Sequence, residues 1–139
     1  MRDISTKENT LRTARARAVL HAGDNAIEAI RSNTVPKGNV FEMAKMAGFL
    51  AVKNTPYAIP HCHPIPVESC SIDFEIKGND IIIELEAKTN YKTGIEVEAM
   101  YGASLIAIAL YDMLKPIEKD LEITSVKLLF KTGGKSDRL

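Results

Sequence analysis

Asp112 and Lys115 stand three residues apart in a helical stretch, so a carboxylate and an ammonium share one helix face. Held there, the carboxylate orients the lysine and tunes its proton affinity, which suits Lys115 to acid or base work. The same spacing also describes an ordinary exposed ion pair, worth about 0.2–0.5 kcal/mol. Glu96 and Glu98 lie near the other end of the same stretch, and Glu98 is fourteen residues from Asp112. At the helical rise that is about 21 Å, too far for one pocket in one chain. The glutamates therefore either cap the helix and soften its positive end, or join the site of a second subunit.

Pro60-His-Cys-His-Pro64 is an extended segment stiffened by prolines. Alternation puts His61 and His63 on one side and Cys62 on the other, and a rigid loop bearing imidazoles suits proton transfer. With Cys70 these residues also suggest zinc, yet no paired Cys-x-x-Cys or His-x-x-x-His spacing is present. Lys131-Thr-Gly-Gly-Lys135-Ser136 lacks the first glycine of a Walker A loop, where Leu129 stands, and no helix follows it. A basic Gly-rich tail can still wrap a polyphosphate with backbone N–H groups and two lysines, although such tails are often simply solvated. Lys37, between Pro36 and Gly38, and Lys53, at the end of a helical stretch, add two more lysines in or beside turns.

The elements that must position these groups follow from pattern. Ala14 to His21 partly alternates and reads as an edge strand, after a polar, uncommitted stretch 1–13. Asp24 can cap a helix through Arg31, and Asn39 a second one to about Lys53. The Pro-rich stretch from Pro56 to Pro66 reads as a loop. Val67 to Lys77 and Asp80 to Asn90 form a hairpin turning at Gly78-Asn79, with Ser71, Asp73 and Glu75 wet and Ile72, Phe74 and Ile76 buried. Thr93-Gly-Ile-Glu96 matches a capping box opening a helix from Gly94 to Lys115, before Pro116. Ile123 to Lys131 is a final strand.

The order strand, two helices, hairpin, helix, strand defines an α+β fold, ferredoxin-like, an antiparallel sheet with helices packed on one face. The helix is uncharged from Ala99 to Tyr111 and should be buried nearly all round; one sheet cannot do that. Its open side is expected to meet another copy, with Gly102, Ala103 and Ala107 allowing close approach.

With 139 residues, 45% of them hydrophobic, a single domain spanning 1–139 is expected, with 1–13 and 132–139 as its mobile ends. Eighteen basic and eighteen acidic residues cancel, so no net field draws the chain to nucleic acid or an anionic membrane. The polar opening lacks a signal's apolar run, and the uncharged stretch is too short to span a bilayer, which points to the cytoplasm. Two cysteines do not make a disulfide framework.

Five blocks occur in sequence between about Asp3 and Ser136: Lys37-Gly-Asn-Val-Phe41, Ile59-Pro-His-Cys-His-Pro64, Lys92-Thr-Gly-Ile-Glu-Val-Glu-Ala99, Tyr111-Asp-Met-Leu-Lys115 and Lys131-Thr-Gly-Gly-Lys-Ser136. Together they resemble the cyclic pyranopterin monophosphate synthases, the molybdenum cofactor biosynthesis protein C family. Any one block arises by chance; five in order are specific. The resemblance implies a ferredoxin-like hexamer, a trimer of dimers with active sites at the dimer interface. It implies conversion of 3',8-cyclo-7,8-dihydroguanosine 5'-triphosphate into a pyranopterin with a cyclic phosphate, expelling pyrophosphate.

On this likeness Lys115 is the proton shuttle and Asp112 its orienting partner, Lys37 and Lys131 are further active-site lysines, and His63 polarises the substrate or transfers a proton. Glu96 and Glu98 hold the base end of the nucleotide and Cys62 lines the same loop, while Lys53 and Lys135 complete the expected substrate contacts. No tightly bound cofactor or metal is expected, and Mg²⁺ is left open as a companion of the triphosphate. His61 stands where many relatives carry leucine, Thr132 replaces a frequent serine, and the tail reads Asp137-Arg-Leu. Two other classes fit the same residues: a noncatalytic nucleotide sensor, and a zinc-stabilised interaction protein built on His61, Cys62, His63 and Cys70.

Overall fold

The computed structural model describes residues 1–139. Its elements are β1 (Thr10–Ala22), α1 (Asp24–Ser32), α2 (Val40–Ala58), β2 (Ser69–Lys77), β3 (Asp80–Tyr91), α3 (Glu96–Leu114) and β4 (Leu121–Thr132). The four strands form one antiparallel sheet in the order β2-β3-β1-β4. With α2 and α3 packed together on one face, this is the α+β, ferredoxin-like arrangement that the element order implies.

β1 is a central strand, bonded to β3 on one side and β4 on the other, and not the edge that its alternation suggests. The charges that resemble an edge lie on the sheet's open face: Arg15 reaches Glu84 (2.8 Å), Asp73 (3.0 Å) and Glu86 (3.5 Å), and Arg17 also pairs with Glu84. Its other face carries Ala14, Ala16, Ala18, Leu20 and Ala22, all fully buried. Opposite them in register stand Ala87, Leu85, Ile83 and Ile81 of β3. Short side chains there let α3 lie low across β1, β3 and β4.

Gly102 and Gly48 face the contact between α3 and α2: a Cβ on Gly102 would stand 2.6 Å from Val52, and one on Gly48 2.6 Å from Ile106. Gly102, Ala103 and Ala107 are thus buried inside this chain and do not serve a contact between copies. Nor is α3 buried all round, since Val97, Ile108 and Tyr111 are exposed along one stripe. By length and composition α3 could cross a membrane, contrary to the reading of the shorter uncharged run, but half of it is buried within the chain as a core helix.

Three helix ends differ from expectation. Gly23 caps α1, while Asp24 is its first residue and takes a hydrogen bond from Asn79 (2.9 Å). Asn39 caps α2 as expected, accepting from Glu42 N. α2, however, continues past Lys53 and through Pro56 to Ala58. Pro56 has no N–H for the Val52 carbonyl, and the Thr55 hydroxyl lies within reach of both that carbonyl (3.1 Å) and the Ala51 carbonyl (2.9 Å). The loop therefore starts at Ile59. The capping box at Thr93 does not form; Ile95 is the N-cap of α3 and Glu96 its first residue. The hairpin turns at Gly78 (φ +58) and Asn79, with Lys77 opposite Asp80.

Candidate active site

The two ends of α3 carry two different clusters. At its C-terminal end, the turn Pro36-Lys37-Gly38 between α1 and α2 delivers Lys37 to Asp112. Gly38, at φ +102, makes that turn possible. Lys37 Nζ donates to the Asp112 backbone carbonyl (3.0 Å) and to Oδ2 (3.2 Å). The first contact also satisfies one of the last carbonyls of the helix. Lys115 Nζ pairs with Asp112 Oδ1 at 3.2 Å. One carboxylate thus holds two ammonium groups in the open. Lys37 first, then Lys115, holds the Asp112 carboxyl below its ordinary 3.8. Asp112 is therefore an acceptor at neutral pH.

At the N-terminal end, Glu96 and Glu98 fall in the first turn, where the helix dipole favours carboxylates. Glu98 is only 2% exposed. Cys62 Sγ donates to Glu98 Oε1 at 3.2 Å, and Lys131 Nζ pairs with Glu96 Oε1 at 3.2 Å. The second oxygen of each glutamate is buried with no hydrogen-bond partner. Burial, partly opposed by the Cys62 thiol, raises the Glu98 carboxyl above its usual range. Burial and the facing Glu98 push the Cys62 thiol up to about 12, so it is a donor and not a nucleophile.

Beside this pair opens a cleft of about 850 Å³, walled by His61, His63, Glu96, Lys131 and the tail Thr132 to Asp137. The loop Ile59–Val67 forms part of the wall, tied to β3 by the Thr89 hydroxyl donating to the Pro66 carbonyl. As alternation implies, His61 and His63 face the cleft while Cys62 turns to Glu98. His63 Nε2 stands 2.8 Å from the Arg2 carbonyl, which can only accept. No group of three His, Cys, Asp or Glu side chains is placed to hold a metal, and Cys70 lies half-buried on β2.

The structure brings together Cys62, His63, Glu96, Glu98, Lys131 and Lys135 at one end, and Lys37, Asp112 and Lys115 at the other. Lys53 joins neither; it is exposed on α2 without an ion pair. Sequence reasoning missed Arg12, which is buried beneath the tail and donates to the carbonyls of Tyr91 and Lys92 (3.2 Å each). Its signal was parity: Arg12 shares the inward face of β1 with Ala14 and Ala16. Arg2 and Lys7, also in the cleft wall, carry no such periodic signal.

A ferredoxin-like domain whose cleft carries five cationic side chains against three carboxylates has the make-up of a protein that takes an anionic small molecule. Residues 1–134 match the family model described as the MoaC family, and the chain belongs to that family. It is 43% identical to the cyclic pyranopterin monophosphate synthase of Clostridium perfringens (strain SM101 / Type A), covering 98% of this chain and 87% of that protein. It is 38% identical to the protein of the same name from Nitratidesulfovibrio vulgaris, over 98% of this chain and 86% of the other. A probable cyclic pyranopterin monophosphate synthase from Methanosarcina acetivorans is 45% identical, over 86% of this chain and 76% of its own length.

Proposed function

We propose that this chain is a lyase that converts 3',8-cyclo-7,8-dihydroguanosine 5'-triphosphate into cyclic pyranopterin monophosphate and pyrophosphate, a step of molybdenum cofactor biosynthesis. The observation that carries the reading is the cationic cleft with Glu96 in its wall, the second oxygen of which has no hydrogen-bond partner. A triphosphate is matched by Arg12, Lys131 and Lys135, and an N–H group of a guanine-derived ring by the unpartnered Glu96 oxygen. An unmet buried acceptor costs about 1–3 kcal/mol, which a ring donor would recover on binding.

Ring rearrangement needs protons moved at several atoms. Closure of the cyclic phosphate then joins a substrate hydroxyl oxygen to the α-phosphorus, while the α–β phosphoanhydride bond breaks and pyrophosphate leaves. His63 sits at the cleft wall for proton transfer or polarisation. Lys115, oriented by Asp112 and seconded by Lys37, is the other proton carrier, but it lies about 25 Å of helix from Glu98 in the same chain. The active site is therefore assigned to two copies, the cleft from one and the Lys37–Asp112–Lys115 cluster from its partner. The apolar stripes Val97–Ile108–Tyr111 on α3 and Met43–Met46–Leu50–Tyr57 on α2 supply surface for association. A hexamer, a trimer of dimers, is the assembly assigned, and the cytoplasm the compartment. No resident cofactor is assigned; Mg²⁺ would enter with the triphosphate.

Purified protein incubated with the cyclised dihydroguanosine triphosphate should release pyrophosphate and pyranopterin product. Binding without turnover would make the chain a nucleotide sensor instead. The composite site has its own test: inactive Glu98→Gln and Asp112→Asn proteins, mixed after verified subunit exchange, should recover up to about a quarter of normal activity. No recovery would return the whole site to one chain.

A further inference from the structure

The tail beyond β4 is a closed loop. Lys131 and Arg138 exchange both backbone hydrogen bonds (2.7 and 2.8 Å), enclosing Thr132 to Asp137. Gly133, at φ +96, lies so close to β1 that a Cβ would stand 2.0 Å from the Leu11 carbonyl oxygen. Thr10 anchors it by donating to the Gly133 carbonyl (2.7 Å). Under the next residue lies Arg12: a Cβ on Gly134 would be 2.7 Å from its Nη1. Gly134 is thus packed against a guanidinium in the cleft wall, which brings a backbone donor and a cation into one neighbourhood.

That donor is already taken. Gly134 N donates to Asp137 Oδ1 at 3.0 Å. Asp137 makes no ion pair, although Lys131 and Lys135 belong to the same cleft. Its carboxylate differs from the other two in the wall, since Asp3 is bonded to its neighbour Ser5 and Glu96 to Lys131. The wall carries five cationic side chains against three carboxylates, so its field favours an anion. Asp137 alone presents a negative charge at the backbone donor of the glycine turn.

We propose that Asp137 is an internal stand-in anion: its carboxylate occupies the Gly134 N–H in the free protein and must be displaced when a phosphate group enters the cleft. Asp137 therefore weakens polyphosphate binding and speeds release of the pyrophosphate product, because the carboxylate is tethered three residues away and returns without diffusing. This rests on the polyphosphate reading of the cleft but not on the chemistry performed there.

The test is titration calorimetry with inorganic pyrophosphate on the full chain and its Asp137→Asn and Asp137→Ala variants, with circular dichroism and sedimentation confirming fold and assembly. Asparagine keeps a carbonyl acceptor for Gly134 N–H and removes only the charge. Both variants should bind pyrophosphate more tightly, on the order of threefold to tenfold, with the gain shrinking as salt is raised. Equal or weaker binding in both variants, or no binding by any of the three proteins, would overturn the proposal. The synthase reading stands or falls separately, on whether the unmodified protein turns over the cyclised nucleotide.

Discussion

The two ends of α3 solve opposite electrostatic problems. At the N-terminal end, Glu98 is buried at 2% exposure beside a thiol and Glu96 is half-buried, each with one oxygen left unpartnered. At the C-terminal end, a carboxylate stands in solvent between two lysines, and its side chain is 56% exposed. Burial raises Glu98; the lysines lower Asp112. The buried end holds unmet hydrogen-bonding capacity, which the proposed recognition of a ring donor would use. The exposed end holds a carboxylate between two lysines on a fixed frame, the arrangement that the proposed proton transfer would use. One helix spans both because each needs only its terminal turn.

That contrast can be broken most severely at the exposed end. Lys115→Ala should lower pyrophosphate release by on the order of a thousandfold, with the circular dichroism spectrum unchanged, because the residue supplies a proton and little packing. Retention of near-normal turnover would remove Lys115 from the chemistry.

At the buried end the expected effect is smaller and has the opposite sign for stability. The raised Glu98 carboxyl binds its proton more readily folded than unfolded, so its contribution is full below about 4.5 and is lost as pH rises through the folded value. At pH 8 Glu98→Gln should therefore melt a few degrees higher than the unmodified protein, with the gain vanishing towards pH 4.5. The same variant should speed alkylation of Cys62, since Glu98 is part of what holds that thiol at about 12. An unchanged melting profile together with an unchanged alkylation rate would mean the glutamate is not the strained group described here.

The smallest effect lies away from both ends. His21 Nε2 contacts Asp120 (3.2 Å) and Nδ1 contacts Asp80 (3.5 Å), and Asp120 chiefly raises the imidazole above its ordinary 6.5. Its contribution is present below 6.5 and is lost as pH rises through the higher folded value. The unmodified protein should lose a slight amount of thermal stability across that window, and His21→Gln should be flat there.

Much of the buried frame was legible because it is periodic. The alternation of β2 gave its wet and dry faces, Asn39 announced α2, and the helical spacing of Asp112 and Lys115 gave their pairing. Where several local signals compete, tertiary structure chose. Thr93 to Glu96 spells a capping box, but Glu96 is drawn to Lys131 on β4, from outside the helix. Pro56 spells an ending, but the Thr55 hydroxyl carries the helix past it. The charges of β1 suggested an edge because the sequence does not say which neighbouring strands will neutralise them. The exposed cluster needed Lys37 from 75 residues away, a distance no local pattern spans.

The alanine ladder of β1 sets a mechanical tolerance. α3 packs on the face of β1 that carries Ala14, Ala16 and Ala18 and bears a polar cluster at each tip, so it behaves as a beam on a fulcrum. A valine at Ala16 that tilted the beam by about 5° would lift one tip and lower the other by about 1 Å, given half-lengths near 14 Å. Displacement of that size can cost a hundredfold in rate. If the two tips serve two different active sites, one misfit methyl pair in the floor is felt in both, and the ladder is held to alanine by geometry many ångströms from any substrate.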